Sequence, residues 1–239
     1  MTNAIGYIEA IFRYPVKSMR GERLDTAMLG WHGLEGDRRF AFRRLDERGE
    51  FPWLSASSVP ELVLYTPQRS GDDGLPTHVL TPDAEEMPLF GDRLASEIGR
   101  RYGSPVEMMQ LRNGVFDDAN ISVITSATVR EIGRIAGTPA DVRRFRPNIV
   151  VRSAAAVPFE EDAWVGGALR FGDAEDAPAV AVTSRDVRCG MVNIDPDTAV
   201  LTPAMLKAVV RENDNNAGIY GAVTRAGRLT VGQTIVLHR

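Results

Sequence analysis

The sequence predicts a mainly β protein, with an all-β barrel core and a few short helices, preceded by a smaller β-rich N-terminal domain. Many short runs rich in Val, Ile, Phe and Tyr are separated by Gly, Pro or Asn turns. Only a few segments have helical spacing, and this balance is typical of a barrel. Asn113-Gly114 interrupts the pattern, so we expect domains at residues 1–112 and 113–239.

In the N-terminal part, period-two patterns and flanking turn residues predict the strands Ile5–Val16, Arg23–Gly30, Asp37–Leu45, Leu62–Thr66 and Pro105–Leu111. Ser55–Leu62 predicts a short helix, and Gln68–Pro76 a polar turn. Asp92–Tyr102 predicts a longer helix, because Leu94 and Ile98 fall on one side of it.

In the C-terminal part, the predicted strands are Ile121–Ile124, Val142–Val151, Trp164–Phe171 and Ala179–Thr183, followed by strands and Gly turns in Ile219–Leu237. A helix at Ala127–Ala136 is predicted by an N-cap at Thr125-Ser126 and by Gly137 at its end. The start of such a helix suits an anion. A second helix is expected at Pro203–Glu212.

The net charge, the apolar runs and the cysteine count of the chain exclude several classes of function. The net charge of -4 argues against a general nucleic-acid binder. No run approaches the ~20 apolar residues of a membrane span, and the N-terminus does not resemble a signal peptide. With a single cysteine in the chain, a reducing compartment is favoured. We therefore expect a cytoplasmic monomer that acts on a small molecule.

Cys189 is the candidate reactive residue. It has no cysteine partner for a disulfide, and the flanking Arg185 and Arg188 favour the thiolate, which attacks electrophiles and binds soft metals. A free cysteine is more often a small buried hydrophobe. However, Arg-Cys-Gly is a poor core tripeptide, and the following Asp195-Pro196-Asp197 indicates a turn. We expect Cys189 near a strand end, facing a cavity.

Two basic stretches are candidate anion sites. Lys17-Ser18 follows a strand and a proline, and a lysine beside a hydroxyl suits a phosphate. Alternation within the predicted strand Val142–Val151 places Arg144, Arg146 and Asn148 on one face. Burying that face requires an opposite charge, supplied either by Asp117-Asp118 or by a bound anion. Alternation also separates Arg38 from Arg39, so one of the two points inward.

The chain resembles the MOSC domain family, which includes molybdenum cofactor sulfurase C-termini and amidoxime-reducing proteins. Four segments carry the resemblance: YPVKSMRG at Tyr14–Gly21, RRFRPNIVV at Arg143–Val151, RCGMVNIDPDT at Arg188–Thr198, and IYGAVTRAGRLTVGQTIVL at Ile219–Leu237. They occur in family order and imply a MOSC-type β-barrel. They also imply binding of the molybdenum cofactor (Mo-molybdopterin); pyridoxal phosphate is not expected.

The resemblance also implies residue roles. Cys189 would be the molybdenum ligand and catalytic residue of a reductase of N-hydroxylated or N-oxide compounds. The cofactor-binding residues that it implies are Lys17, Ser18, Arg39, Asp118, Thr125, Ser126, Arg144, Arg146, Asn148 and Arg188.

The sequence departs from family patterns in two places. Some members carry a ferredoxin-like domain whose two-iron cluster needs four cysteines, and this chain has one cysteine. If it is a reductase, we expect a separate ferredoxin- or flavin-type protein to supply electrons. Where amidoxime reductases often have Cys-Ser-Arg-Cys, this chain has Asp186-Val187-Arg188-Cys189. Two alternatives stay open: a sulfur carrier or sulfurtransferase with a Cys189 persulfide, and a non-catalytic carrier of the cofactor.

Overall fold

The computed structural model describes residues 3–69, 74–139 and 141–239. In chain order its strands are β1 (Asn3–Arg13), β2 (Glu22–Leu24), β3 (Thr26–Gly30), β4 (Gly33–Leu34), β5 (Phe40–Arg44), β6 (Thr66–Arg69), β7 (Pro76–Leu80), β8 (Glu86–Pro88), β9 (Val106–Gln110), β10 (Ile121–Thr125), β11 (Ile149–Ser153), β12 (Ala168–Phe171), β13 (Ala179–Val187), β14 (Asn216–Arg225), β15 (Gly227–Thr230) and β16 (Thr234–His238). The helices are α1 (Asp92–Tyr102), α2 (Ser126–Ala136) and α3 (Ala204–Asn213), and short 3₁₀ helices span Pro60–Leu64, Val142–Phe145, Glu160–Trp164 and Gly190–Asn193.

The strands confirm the mainly β prediction. Within the described residues, seven strands close into a barrel in the order β11-β10-β14-β13-β12-β16-β1, and β1 pairs back with β11. The pair β10–β11 is parallel, and the other pairs in the ring are antiparallel. Closure leaves no free barrel edge. The barrel interior is filled by side chains such as Ile8, Val123, Ile149, Val180 and Ile235.

The N-terminal part contributes to two structures. Its first strand, β1, completes the barrel, whereas β5 to β9 and α1 surround a second core containing Phe40, Leu62, Tyr65 and Ile98. Ile194, from the loop after Cys189, packs into this second core. The domain boundary near residue 112 stays a prediction.

The two longer helices that the sequence predicted most clearly are present, and each ends at a glycine. The Thr125 side chain caps α2 by accepting a hydrogen bond from the Thr128 N–H. Gly103 and Gly137 adopt left-handed conformations at the ends of α1 and α2, which glycine adopts without a steric penalty. Across the described ranges, no helix is both long and apolar enough to cross a bilayer.

Three predicted strands are wrong in part, because turns replace them. Val142–Phe145 is a 3₁₀ helix: Asp141 caps it, and Pro147 has no N–H for a strand ladder. Leu62–Leu64 also belongs to a 3₁₀ helix, whose Leu62 and Val63 are buried in the second core. The strand expected from Trp164 begins at Ala168, after a left-handed turn at Gly166.

Two further expectations have different outcomes. The helix expected at Ser55–Leu62 is a 3₁₀ helix over Pro60–Leu64. The turn expected at Gln68–Pro76 lies partly outside the described residues, since 70–73 are not described.

Candidate functional site

A cavity of about 330 Å³ lies where the loop after β1 meets the ends of barrel strands. Seven residues predicted from sequence line it together: Lys17, Ser18, Arg144, Arg146, Asn148, Arg188 and Cys189. They come from sequence positions as far apart as 17 and 189, so only the fold brings them together. The remaining lining residues are Arg38, Phe51, Ser55, Ser57, Phe116, Asp117, Ala119, Ser122, Phe145, Asp186, Val187, Met191, Val192 and Tyr220.

Lys17 is a buried cation at this cavity. Its side chain is 7% exposed, and its Nζ lies 2.6 Å from Asp117 Oδ1 and 5.1 Å from the centroid of the Phe51 ring. Burial lowers the pKa of Lys17, while the Asp117 carboxylate opposes that shift. Ser18 has a left-handed backbone, and its Oγ accepts a hydrogen bond from the Ala56 N–H, so its hydroxyl also holds the loop in place.

Arg38, and not Arg39, lines the cavity. Arg38 has a φ of 49°, pairs with Asp37 and donates from Nη2 to the Arg146 carbonyl at 3.2 Å. Arg39 donates from Nε to the Leu111 carbonyl at 2.7 Å and lies against a different surface groove. The two side chains do point to different places, but not by strand alternation, because Arg38 lies in a turn before β5 begins at Phe40. The inward arginine is the residue that the resemblance did not indicate.

Arg144, in the 3₁₀ helix Val142–Phe145, and Arg146, at its C-cap, have different partners. Arg144 is 4% exposed, pairs with Asp195 at 2.7 Å and donates to the Asn193 carbonyl at 3.0 Å. Arg146 donates from Nη1 to the Met19 carbonyl at 2.7 Å, and its guanidinium lies 4.2 Å from the centroid of the Tyr14 ring.

Arg146 retains an unused donor. Its Nη2 is buried and has no hydrogen-bond partner, and no carboxylate forms a salt bridge with it, among residues 3–69, 74–139 and 141–239. Burial lowers the pKa of Arg146 to about 10, so the group stays charged at neutral pH. Of the carboxylates expected to neutralise this region, Asp117 pairs with Lys17, and Asp118 is exposed and is not a cavity residue.

A series of hydrogen bonds and one ion pair connects buried residues at the cavity. Arg38 pairs with Asp37, whose Oδ2 accepts from Asn148 Nδ2 at 3.0 Å. Asn148 Oδ1 accepts from the Ser122 N–H at 3.1 Å, and Ser122 Oγ donates to Asp186 Oδ2 at 2.9 Å. Asn148 is 1% exposed. Its amide therefore fixes the relative positions of strands β10 and β11 and the Arg38 loop.

Cys189 lies two residues after β13 ends, is exposed and lines the cavity. Neither flanking arginine bonds to its sulfur. Arg188 donates to the Ala217 and Phe145 carbonyls at 2.7 and 2.8 Å and pairs with Asp186 at 2.7 Å. Arg185 lies 3.0 Å from Asp162. The positive charges that the sequence places beside Cys189 are therefore matched by carboxylates.

Thr125 and Ser126 lie outside the cavity lining. The Thr125 hydroxyl and N–H both bond to Glu161, a fully buried carboxylate that also accepts from the Thr128 hydroxyl. Burial raises the pKa of Glu161. This cluster anchors the start of α2 to the turn before β12.

Sequence reasoning missed Arg38 as the inward arginine, and it also missed Asp186 and Tyr220 as cavity residues; it named Asp117 only as a possible partner of the Arg144 and Arg146 face. One signal existed for Asp186, which stands where the amidoxime reductases often have cysteine. Lys17 and Asp117 are 100 positions apart, and no local pattern joins them.

The comparisons with known proteins agree with this architecture. The family model described as MOSC domain matches residues 88–236, and the model described as MOSC N-terminal beta barrel domain matches residues 5–119. The first match covers more than half of the chain. This protein therefore belongs to the MOSC domain family, and the resemblance seen in its motifs is confirmed.

Individual relatives are distant. Mitochondrial amidoxime reducing component 2 of Bos taurus is 28% identical in a 132-residue alignment that covers 50% of this chain and 37% of the bovine protein. The YUAD protein from Bacillus subtilis shares the fold, with a TM-score of 0.53 and 15% identity over 100% of this chain and 98% of that one. YiiM from Geobacillus stearothermophilus is more remote, with a TM-score of 0.39 and 19% identity over 52% of this chain and 56% of that chain.

Proposed function

We propose that this protein is a molybdenum-cofactor-dependent oxidoreductase that reduces N-hydroxylated or N-oxide compounds. The observation that carries the proposal is a buried guanidinium, Arg146, without a carboxylate partner in the described chain, in the same cavity as an exposed thiol. An unpaired buried charge is costly, so its presence favours an anionic ligand. Membership of the MOSC family and the bovine relative support the same proposal.

The cavity residues suit both ends of Mo-molybdopterin. Arg146, Lys17 and Arg38 offer cationic donors for the phosphate, and arginine suits phosphate by its planar pair of donors. Cys189 offers a soft thiolate for the metal. Within the described ranges, no group of three or more His, Cys, Asp or Glu residues is arranged to hold a metal. A metal here would therefore need ligands from a cofactor besides Cys189.

Reduction of a hydroxylamine-type substrate consumes two protons and two electrons, breaks the N–O bond and releases an amine and water. When bound, the molybdenum cofactor supplies a metal that changes oxidation state and exchanges an oxygen ligand. The protein would bind the cofactor phosphate through its buried cations and orient the metal through Cys189. Electrons would come from a separate ferredoxin- or flavin-type protein, and we expect both proteins to be cytoplasmic.

The test is the molybdenum and pterin content of protein made in a host that synthesises the cofactor, with Cys189→Ala alongside. We expect near-stoichiometric molybdenum in the wild type, loss of the metal in the variant, and reduction of an amidoxime by the wild type with an artificial electron donor. A wild type without molybdenum and pterin would contradict the proposal. Mass analysis of Cys189 for an added sulfur would then test the persulfide alternative.

A further inference from the structure

Asp186 is a buried carboxylate at the cavity that the proposed function does not use. It is 1% exposed, at the end of β13. Its Oδ2 accepts from Ser122 Oγ at 2.9 Å and lies 2.7 Å from Arg188 Nη2. Its Oδ1 is buried and has no hydrogen-bond partner in the part of the chain that is described. Buried polar atoms are almost always hydrogen-bonded, so this oxygen needs an explanation.

The surroundings of Asp186 define which ligand group would satisfy Oδ1. Burial raises the pKa of Asp186, while the Arg188 charge and the Ser122 and Tyr220 hydroxyls act in the opposite direction. Because Arg188 already balances the carboxylate charge, the missing partner need not be a cation. A neutral N–H donor is sufficient, since a carboxylate oxygen only accepts hydrogen bonds.

Tyr220 adds a second polar group to this part of the cavity. It lies on β14, next to β13 in the barrel, and also lines the cavity. Burial and the Asp186 charge raise the pKa of Tyr220, so its hydroxyl keeps its proton. Asp186 and Tyr220 thus place an acceptor and a neutral hydroxyl in one cavity with the cations Lys17, Arg38 and Arg146.

We propose that Asp186 Oδ1 is the acceptor for an N–H group of a molecule bound in the cavity, with Tyr220 beside it. The cavity then recognises an anionic group through its buried cations and an N–H group through Asp186. Two sources share this chemistry: the amine or amidine N–H of a substrate, and a ring or amino N–H of the pterin. The proposed function is needed only to name the substrate and the pterin as the two sources of the N–H group. The acceptor role of Asp186 Oδ1 does not depend on it.

The test variant is Asp186→Asn. Ser122 donates to this side chain and the Arg188 guanidinium lies beside it, so we expect the amide oxygen to face them and the amide nitrogen to face the cavity. The acceptor becomes a donor, and an N–H ligand is repelled. The matched control is Glu161→Gln, which neutralises another buried carboxylate that is not a cavity residue. We expect the control to keep wild-type ligand binding.

Two readouts distinguish the sources: calorimetric binding of benzamide, a neutral molecule that has N–H donors but no N–O bond, and the pterin and molybdenum content of the purified protein. We expect Asp186→Asn to reduce one of them by about tenfold or more, as the loss of a charge-assisted hydrogen bond predicts. Loss of benzamide binding with normal pterin content assigns the N–H to the substrate. Loss of pterin assigns it to the cofactor.

Wild-type levels of both readouts in folded Asp186→Asn would overturn the proposal, as would a wild type that holds neither ligand. A wild type that lacks pterin but binds benzamide contradicts only the proposed function, and the benzamide measurement still tests Asp186. Because Asp186→Asn leaves Arg188 buried without its carboxylate, a second variant covers the case in which the first does not fold. The double variant Asp186→Leu, Arg188→Met removes the buried pair together, and Arg188→Met alone, which keeps the Asp186 acceptor, is its control. We expect the loss in the double variant and not in the control.

Discussion

The turn at Val142–Arg146 has an arginine on its outer side and another on its inner side. The outer arginine is paired with carboxylates, and the inner arginine is not paired with any in the part of the chain that the structure describes. On the outer side, Arg143 is partly exposed and pairs with Asp141 at 2.6 Å and with Asp197 at 2.5 Å. On the inner side, Arg146 enters the cavity, and among the described residues no carboxylate pairs with it. Paired arginines hold loops together, whereas an unpaired buried arginine is available to a ligand at a cost in stability.

The largest expected effect is that of Arg146→Met, which removes the unpaired charge. We expect molybdenum and pterin content to fall by about tenfold or more, because a charge-assisted contact is lost. The melting temperature of the cofactor-free protein should change little, since removal of an uncompensated buried charge offsets loss of the hydrogen bond to the Met19 carbonyl. A lower melting temperature with normal cofactor content would show that Arg146 is structural.

Arg144→Met, unlike Arg146→Met, should lower stability. Arg144 is buried and paired, so its removal leaves Asp195 and the Asn193 carbonyl without their donor. We expect the free energy of unfolding to fall by about 2 kcal/mol, measured by urea denaturation of the cofactor-free protein. An unchanged free energy would remove the distinction between the paired and the unpaired arginine.

Asp117→Asn extends the comparison of paired and unpaired cations to Lys17, because it removes the carboxylate that pairs with this lysine. Asp117 is mostly exposed and pairs with Lys17, so it competes with any anion for that cation. We expect inorganic phosphate to bind about threefold more tightly to the cofactor-free variant, with the gain shrinking at high salt. Weaker phosphate binding would mean that Asp117 instead orients Lys17 for its ligand.

The smallest expected effect is that of Asp197→Asn, which removes a carboxylate paired with Arg143 on the outer side of the turn at Val142–Arg146. Hydrogen bonds from Arg143 hold the pKa of Asp197 below its usual value, so the pair stabilises the fold above the unfolded pKa of about 3.9. That contribution disappears as the pH falls through the lower folded pKa. Asp197→Asn should cost about 0.5 kcal/mol at neutral pH, since the pair is half exposed. Urea denaturation should show no difference from the wild type at about pH 2; a constant difference would contradict this assignment.

The sequence by itself determined the family, the mainly β class and the ends of the longer helices. These depend on local chemistry: period-two alternation, the Thr125 cap, the glycines after α1 and α2, and four motifs in order. Seven of the predicted site residues also line one cavity. Their roles as ligands of a cofactor stay a prediction.

Only the tertiary structure decided which charges are paired. Alternation assumed a strand through Arg144 and Arg146, but Asp141 and Pro147 convert that segment into a 3₁₀ turn with a left-handed Arg146. Thr125 and Ser126 were expected at the site but lie outside the cavity lining, where Thr125 bonds to Glu161 instead. Ion pairs join residues such as 17 and 117, or 144 and 195. Such pairs depend on chain closure over long separations, so the surplus charge at Arg146 and the unused oxygen of Asp186 become visible only in the folded protein.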